Sequence, residues 1–281
     1  ASAAASANRS ASFHAETTDG INELKAMIAK LNTDEAANQA RYAYEPYDHR
    51  DSDQVASLLG EGSFGATHTM KNADEGGQIY AVKLINIRKA KNEGIAEDMM
   101  RSESARLSML RHDHIVQYFT AFRFGENNKF YAIAMELLTG GSLKERLQAA
   151  AGPLTSDTCE RALATVKWTT EVASALAHMH TRRMQHRDLK PDNVVFDEYG
   201  DARVIDLGLA VVVKAKAAVS SRYGANKVGA EAYRSPEKAD GKRYDGKDDV
   251  WALGCMLGGA VTGTLAEDRC AGRALTRAAA K

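Results

Sequence analysis

Asp188, Lys190 and Asn193 stand close together in His186-Arg187-Asp188-Leu189-Lys190-Pro191-Asp192-Asn193, and Asp206 follows in Asp206-Leu207-Gly208. Side chains of these types suit phosphoryl transfer. That reaction needs a carboxylate to orient the attacking hydroxyl, oxygen ligands for Mg²⁺, and fixed positive charge on the transferring oxygens. Asp188 can serve as the carboxylate, Asn193 with Asp206 as the metal ligands, and Lys190 as the charge. Upstream, Gly60-Glu61-Gly62-Ser63-Phe64-Gly65 offers backbone N–H groups that phosphate oxygens can approach without a Cβ in the way. Lys83 sits in the apolar run Ala81-Val82-Lys83-Leu84, where an unpaired ammonium is costly, so it requires an anionic partner. Glu103 is the candidate. The alternative is a solvated Glu103, with Glu97 or Asp98 as the partner.

Such groups need a scaffold. The stretch 55–70 reads as two strands around the glycine loop, and 78–87 as a third after the turn 72–77. A helix is expected over 95–110, then strands near 116–124 and 130–136. From Thr155 the pattern turns helical, with Val172, Leu176 and Met179 spaced as one buried face ahead of His186. Ile21, Leu24, Ile28 and Leu31 predict a short amphipathic helix that packs on its own domain or on a partner.

The glycine loop lies between two strand-like runs, unlike a dinucleotide fingerprint, which joins a strand to a helix. Together with Ala81-Val82-Lys83, the His186–Asn193 run, Asp206-Leu207-Gly208 and Ser235-Pro236-Glu237, it resembles the protein kinases, over roughly Gln54 to Thr262. The resemblance implies an α+β fold with a β-rich N-lobe (51–135), a hinge (136–141) and a helical, partial C-lobe (142–281), preceded by a tail over 1–50. It implies ATP and Mg²⁺ as cofactors and a protein substrate as partner. In this scheme Lys83 reaches the α- and β-phosphates and Glu103 orients it. Glu136 and Leu138 offer backbone groups to adenine, Met135 backs the pocket, Ala81 and Val195 sandwich the ring, and Ser142 joins the nucleotide-facing set.

Lys190 after Asp188 resembles the serine/threonine class. Arg187 beside Asp188 resembles kinases whose activation segment is ordered by phosphorylation, which makes Ser220, Ser221 and Tyr223 candidate phosphosites; the plain alternative is solvated loop hydroxyls. Leu207, Ser235 and the pattern 77–87 resemble the NIMA-related kinases.

Equal numbers of basic and acidic residues, 37 each, provide no global field for nucleic acid or an anionic membrane. The longest uncharged run, 250–266, is shorter than the roughly 20 apolar residues a membrane span needs, so a buried core helix is expected there and no membrane partner. Cys159, Cys255 and Cys270 follow no metal-ligand spacing; they suit a reducing compartment, the cytoplasm with the nucleus as alternative, and are expected to be buried or incidental. The Ala/Ser-rich opening reads as a disordered tail, with a transit-like segment as the alternative.

Two departures from the family pattern stand out. Ala230 replaces the usual threonine and Glu231 a common proline; the lost hydroxyl is expected to cost roughly 1–3 kcal/mol, or one to two decades of rate. The chain also ends where the family has further helices. Trp251, Leu253, Met256 and Leu257 are therefore expected to be partly uncovered, and Glu237 to lack its distant arginine. The segment 269–281 is a weak helical substitute. Those departures motivate an alternative function: a nucleotide-binding scaffold with little or no turnover.

Overall fold

The strand Ile79–Asn86 (β4) is buried on both faces along most of its length, which is why its sequence reads as an apolar run broken only by Lys83. Its alternate residues Tyr80, Val82 and Leu84 pack with Met70, Phe122, Ala132 and Ala134 into one core cluster. The computed structural model describes residues 44–46, 58–62, 65–72, 78–92, 97–150, 152–155, 158–207, 211–212, 229–242 and 244–268. The expected helix around Ile21–Leu31, the turn at 73–77, Cys270 and the segment 269–281 lie outside them.

The described residues divide into two compact units. The first is built on an antiparallel sheet ordered β1 (Tyr44–Pro46), β3 (Gly65–Asn72), β4, β6 (Phe130–Met135), β5 (Tyr118–Phe124), with β2 (Leu58–Gly62) also on β3. Helices α1 (Ile87–Asn92) and α2 (Glu97–Met109) follow β4. Sequence patterning had no signal for β1 or for α1, which is too short to show a helical period. Gly65 is glycine for packing reasons as well as any ligand's: a Cβ there would overlap the Leu84 carbonyl oxygen.

The second unit is helical. It contains α3 (Leu143–Ala149), the long α4 (Cys159–Thr181), a short α5 (Pro236–Ala239) and α6 (Lys247–Thr262). Small strand pairs also belong to it: β7 (Met184–Gln185) with β10 (Val211–Val212), and β8 (Val194–Phe196) with β9 (Ala202–Val204). Val172, Leu176 and Met179 form the buried face of α4. Ser142 caps α3 through a reciprocal capping box with Glu145.

The uncharged run 250–266 is not one fully buried helix. Helix α6 stops at Thr262 because Gly263 takes a left-handed conformation (φ 68°), and a Cβ there would overlap Gly152. Leu253 and Met256 are buried, whereas Val250, Trp251 and Val261 are exposed. Among the cysteines, Cys159 is exposed and Cys255 half-buried, so burial does not account for Cys159. Among the described residues no helix is long and apolar enough to cross a membrane.

Candidate active site

The loop between β7 and β8 carries Asp188, Lys190 and Asn193, and the Asp249 side chain holds its start. Asp249, near the start of α6, accepts from the His186 and Arg187 backbone N–H groups at 3.0 and 2.8 Å, and its Oδ2 also bonds His180 Nε2 at 2.8 Å. Burial alone would raise this carboxyl's pKa. The His180 bond, the neighbouring His186 ring and the two backbone donors outweigh burial and hold it below the usual range. Arg187 is thereby kept at φ 70°, a conformation that costs a non-glycine residue about 1–3 kcal/mol unless its surroundings impose it.

The Asp188 carboxylate is fixed on both oxygens. Oδ1 accepts from the Ala230 backbone N–H at 2.8 Å, and Oδ2 lies 3.4 Å from Lys190 Nζ. Asn193 Nδ2 donates to the Asp188 carbonyl at 2.8 Å, which turns the amide oxygen the other way. The Asn193 carbonyl accepts from Ile205 N–H, and the Ile205 carbonyl bonds His186 Nε2 at 3.0 Å. These bonds place the residue before Asp206 against both Asn193 and the loop. Asp206 itself has φ 61°, so the chain turns sharply at the second acid. Asn193 and Asp206 supply hard oxygen donors of the kind Mg²⁺ takes. Among the described residues no group of three His, Cys, Asp or Glu side chains could hold a metal ion by itself, so a cation here would complete its shell with water or phosphate oxygens.

In the sheet unit, Lys83 Nζ lies 2.8 Å from Glu103 Oε1, with the two side chains 25% and 7% exposed. The exposure matters: the ammonium can still meet a ligand. The competing Glu97 and Asp98 side chains are outside the description. Ala81 faces Met135 across the β4–β6 pair, and Glu136 exchanges backbone and side-chain bonds with Gln117. Leu138 is half-buried. Gly60 has open space where a Cβ would be, Glu61 is exposed, and Gly62 pairs with Gly65 at the end of the β2–β3 hairpin. In the helical unit Val195 pairs with Ser142, whose hydroxyl is engaged by Glu145. Ser63, Phe64, Gly208, Ser220, Ser221 and Tyr223 lie outside the described residues. The Arg187 guanidinium, expected to donate to an activation-segment phosphate, donates to the Tyr244 hydroxyl at 3.0 and 2.6 Å.

Sequence reasoning did not single out Gly229. It has φ 82°, and a Cβ there would come 2.5 Å from the Arg187 carbonyl and 3.0 Å from Asp188 Oδ1. The only signal was a glycine next to Ala230. Nor were the bonds of Asp249 assigned individually. The available signal was an acid opening the apolar run Val250-Trp251-Ala252-Leu253, where a carboxylate must find donors.

A family model described as the protein kinase domain matches residues 54–272. Mouse serine/threonine-protein kinase Nek1 is 34% identical over 199 residues, 71% of this chain and 15% of that protein. Mouse Nek4 is 32% identical over 200 residues, 71% of this chain and 24% of the other. CBL-interacting protein kinase 19 of Oryza sativa subsp. japonica is 33% identical over 210 residues, 73% of this chain and 37% of its own length. The chain thus spans well under two thirds of each of these relatives.

Proposed function

Because the chain belongs to the protein kinase family, we propose that it transfers the γ-phosphoryl group of Mg-ATP to serine or threonine hydroxyls of a protein substrate. The observation that carries this reading is the Asp188 carboxylate, held by the Ala230 N–H at one oxygen and beside Lys190 at the other. Asp188 orients the acceptor hydroxyl and takes its proton; Lys190 offsets charge on the transferring group. The family generally uses ATP and Mg²⁺. The Asn193 amide oxygen and the Asp206 carboxylate would hold Mg²⁺, which would supply positive charge against the phosphate oxygens. Lys83, kept in place by Glu103, serves the α- and β-phosphates. Within the sheet unit, the glycine hairpin, Ala81, Met135 and the 136–138 backbone are the groups that would serve the nucleotide.

The test is phosphate transfer from ATP to a generic Ser/Thr peptide by the wild-type chain and by Asp188→Asn, with ATP-Mg²⁺ binding followed by thermal shift. A loss of about 10²–10⁴ in rate with nucleotide binding retained is expected. Equal rates would remove Asp188 from its role, and nucleotide binding with no transfer by the wild type would leave a binding module.

A further inference from the structure

Lys238 is only 2% exposed, and lysine is almost never fully buried unless paired. Its Nζ donates to Asp248 Oδ2 at 2.6 Å and to the Arg187 carbonyl at 2.8 Å, and it lies 4.9 Å from the centre of the Tyr244 ring. Asp248, 4% exposed, uses its other oxygen to accept from the Ser235 N–H at 3.1 Å. Stability alone is a poor account of such a pair, since a well-packed apolar pair of similar volume is often as stable or more so. Its second bond gives a better account.

The Arg187 carbonyl belongs to the peptide plane that carries the Asp188 N–H, and that plane is rigid. Fixing the carbonyl sets the rotation of the plane and hence the direction in which the Asp188 side chain leaves the backbone. The other end of Arg187 is fixed as well: its N–H donates to Asp249 Oδ1, and its guanidinium donates to the Tyr244 hydroxyl. Arg187 sits at φ 70°, so without these contacts it would relax toward an ordinary conformation and turn Asp188 away from the Ala230 N–H. We propose that Lys238, oriented by Asp248, is a positioning residue for Asp188.

The inference rests on the kinase reading for its kinetic arm only. The test variant is Lys238→Met/Asp248→Asn, which removes both charges and keeps an oxygen for the Ser235 N–H. A cooperative melt and an unchanged ATP-Mg²⁺ thermal shift are expected, with kcat about tenfold lower and KM for ATP unchanged. In parallel, hydrogen exchange of the amides at 187–189 should speed up about tenfold while those at 252–260 stay as in the wild type. A pair that is merely structural would lower Tm and leave kcat per folded molecule and loop exchange untouched; that result overturns the proposal. If the double variant fails to melt cooperatively, Asp248→Asn alone decides by the same readouts, since it keeps the lysine but loosens its anchor. Should the wild type transfer no phosphate, the exchange arm still decides on positioning, and only the activity reading falls.

Discussion

Replacing Asp249 by alanine strands two backbone donors inside the protein. The side chain is 1% exposed, and the groups it serves belong to His186 and Arg187, which are 0% and 5% exposed, so water cannot readily take its place. Each buried donor left without a partner costs about 1–3 kcal/mol, so the two together cost about 2–6 kcal/mol. His180 adds little, because its side chain keeps 27% exposure and its Nε2 can turn to water. A loss near 4 kcal/mol is a large share of the roughly 5–15 kcal/mol that holds a domain together. Urea unfolding followed by tryptophan fluorescence reads this directly, since both tryptophans, Trp168 and Trp251, lie in the helical unit. With a slope of about 2 kcal/mol/M the midpoint should fall by about 2 M. Asp249→Asn should fall by about half as much, because it keeps an oxygen for the Arg187 N–H and points an NH₂ at the His186 N–H. A shift below about 0.5 M for alanine at unchanged slope refutes the reasoning. The pH dependence has a definite sign. The Asp249 carboxyl is depressed in the folded state, so its contribution is present above the unfolded value of about 3.9 and lost as pH falls through the folded one. The gap between wild type and Asp249→Ala should therefore narrow in acid.

Gly229→Ala should lower stability by about 1–3 kcal/mol and also reduce phosphotransfer, because the added Cβ meets both the Arg187 carbonyl and Asp188 Oδ1 at a left-handed backbone position; urea midpoints and peptide phosphorylation measure the two effects. Lys83→Met leaves Glu103, whose side chain is 7% exposed, without its partner. Breaking a fully buried pair costs about 3–5 kcal/mol, and the 25% exposure of the lysine side chain brings the expected loss to about 1–3 kcal/mol by the same unfolding assay. His112 and His178 both have lowered pKa values, each through burial first, then through His114 for His112 and Arg182 for His178; Arg182 and Arg203 also lower His112, while Asp113 opposes. The unfolded chain therefore binds more protons, and stability should fall as pH drops below about 6.5 until the folded values are passed. His112→Gln/His178→Gln should flatten that slope.

Elements with a long, regular pattern were legible. β4, with both faces buried, and α4, with Val172, Leu176 and Met179 on one face, announce themselves by period. A lysine inside an apolar strand demands an acid, because an unpaired buried charge is costly; the choice of Glu103 came from the family's placement of that acid. Short elements carry no period, which is why β1, α1 and α3 were not anticipated. Lys238 and Asp248 illustrate a different limit. In sequence they read as two ordinary charges, and only the folded placement of α5 beside the first turn of α6 makes one the buried partner of the other.

At position 230 the backbone supplies a bond of its own to Asp188, separate from anything a side chain there would add. Ala230 lacks the hydroxyl that a threonine would offer to Asp188, and that bond is absent. Its backbone N–H nevertheless donates to Asp188 Oδ1 at 2.8 Å, so the carboxylate oxygen is satisfied whatever side chain stands there. The bond depends on the direction of the chain at Gly229, where φ is 82° and a Cβ would collide with the Arg187 carbonyl. The chemistry at this position thus depends more on the glycine before Ala230 than on the side chain of Ala230. Introducing threonine at 230 can add at most a second contact to an acid that already has one, whereas a side chain at 229 disturbs the acid, the loop carbonyl and the turn together.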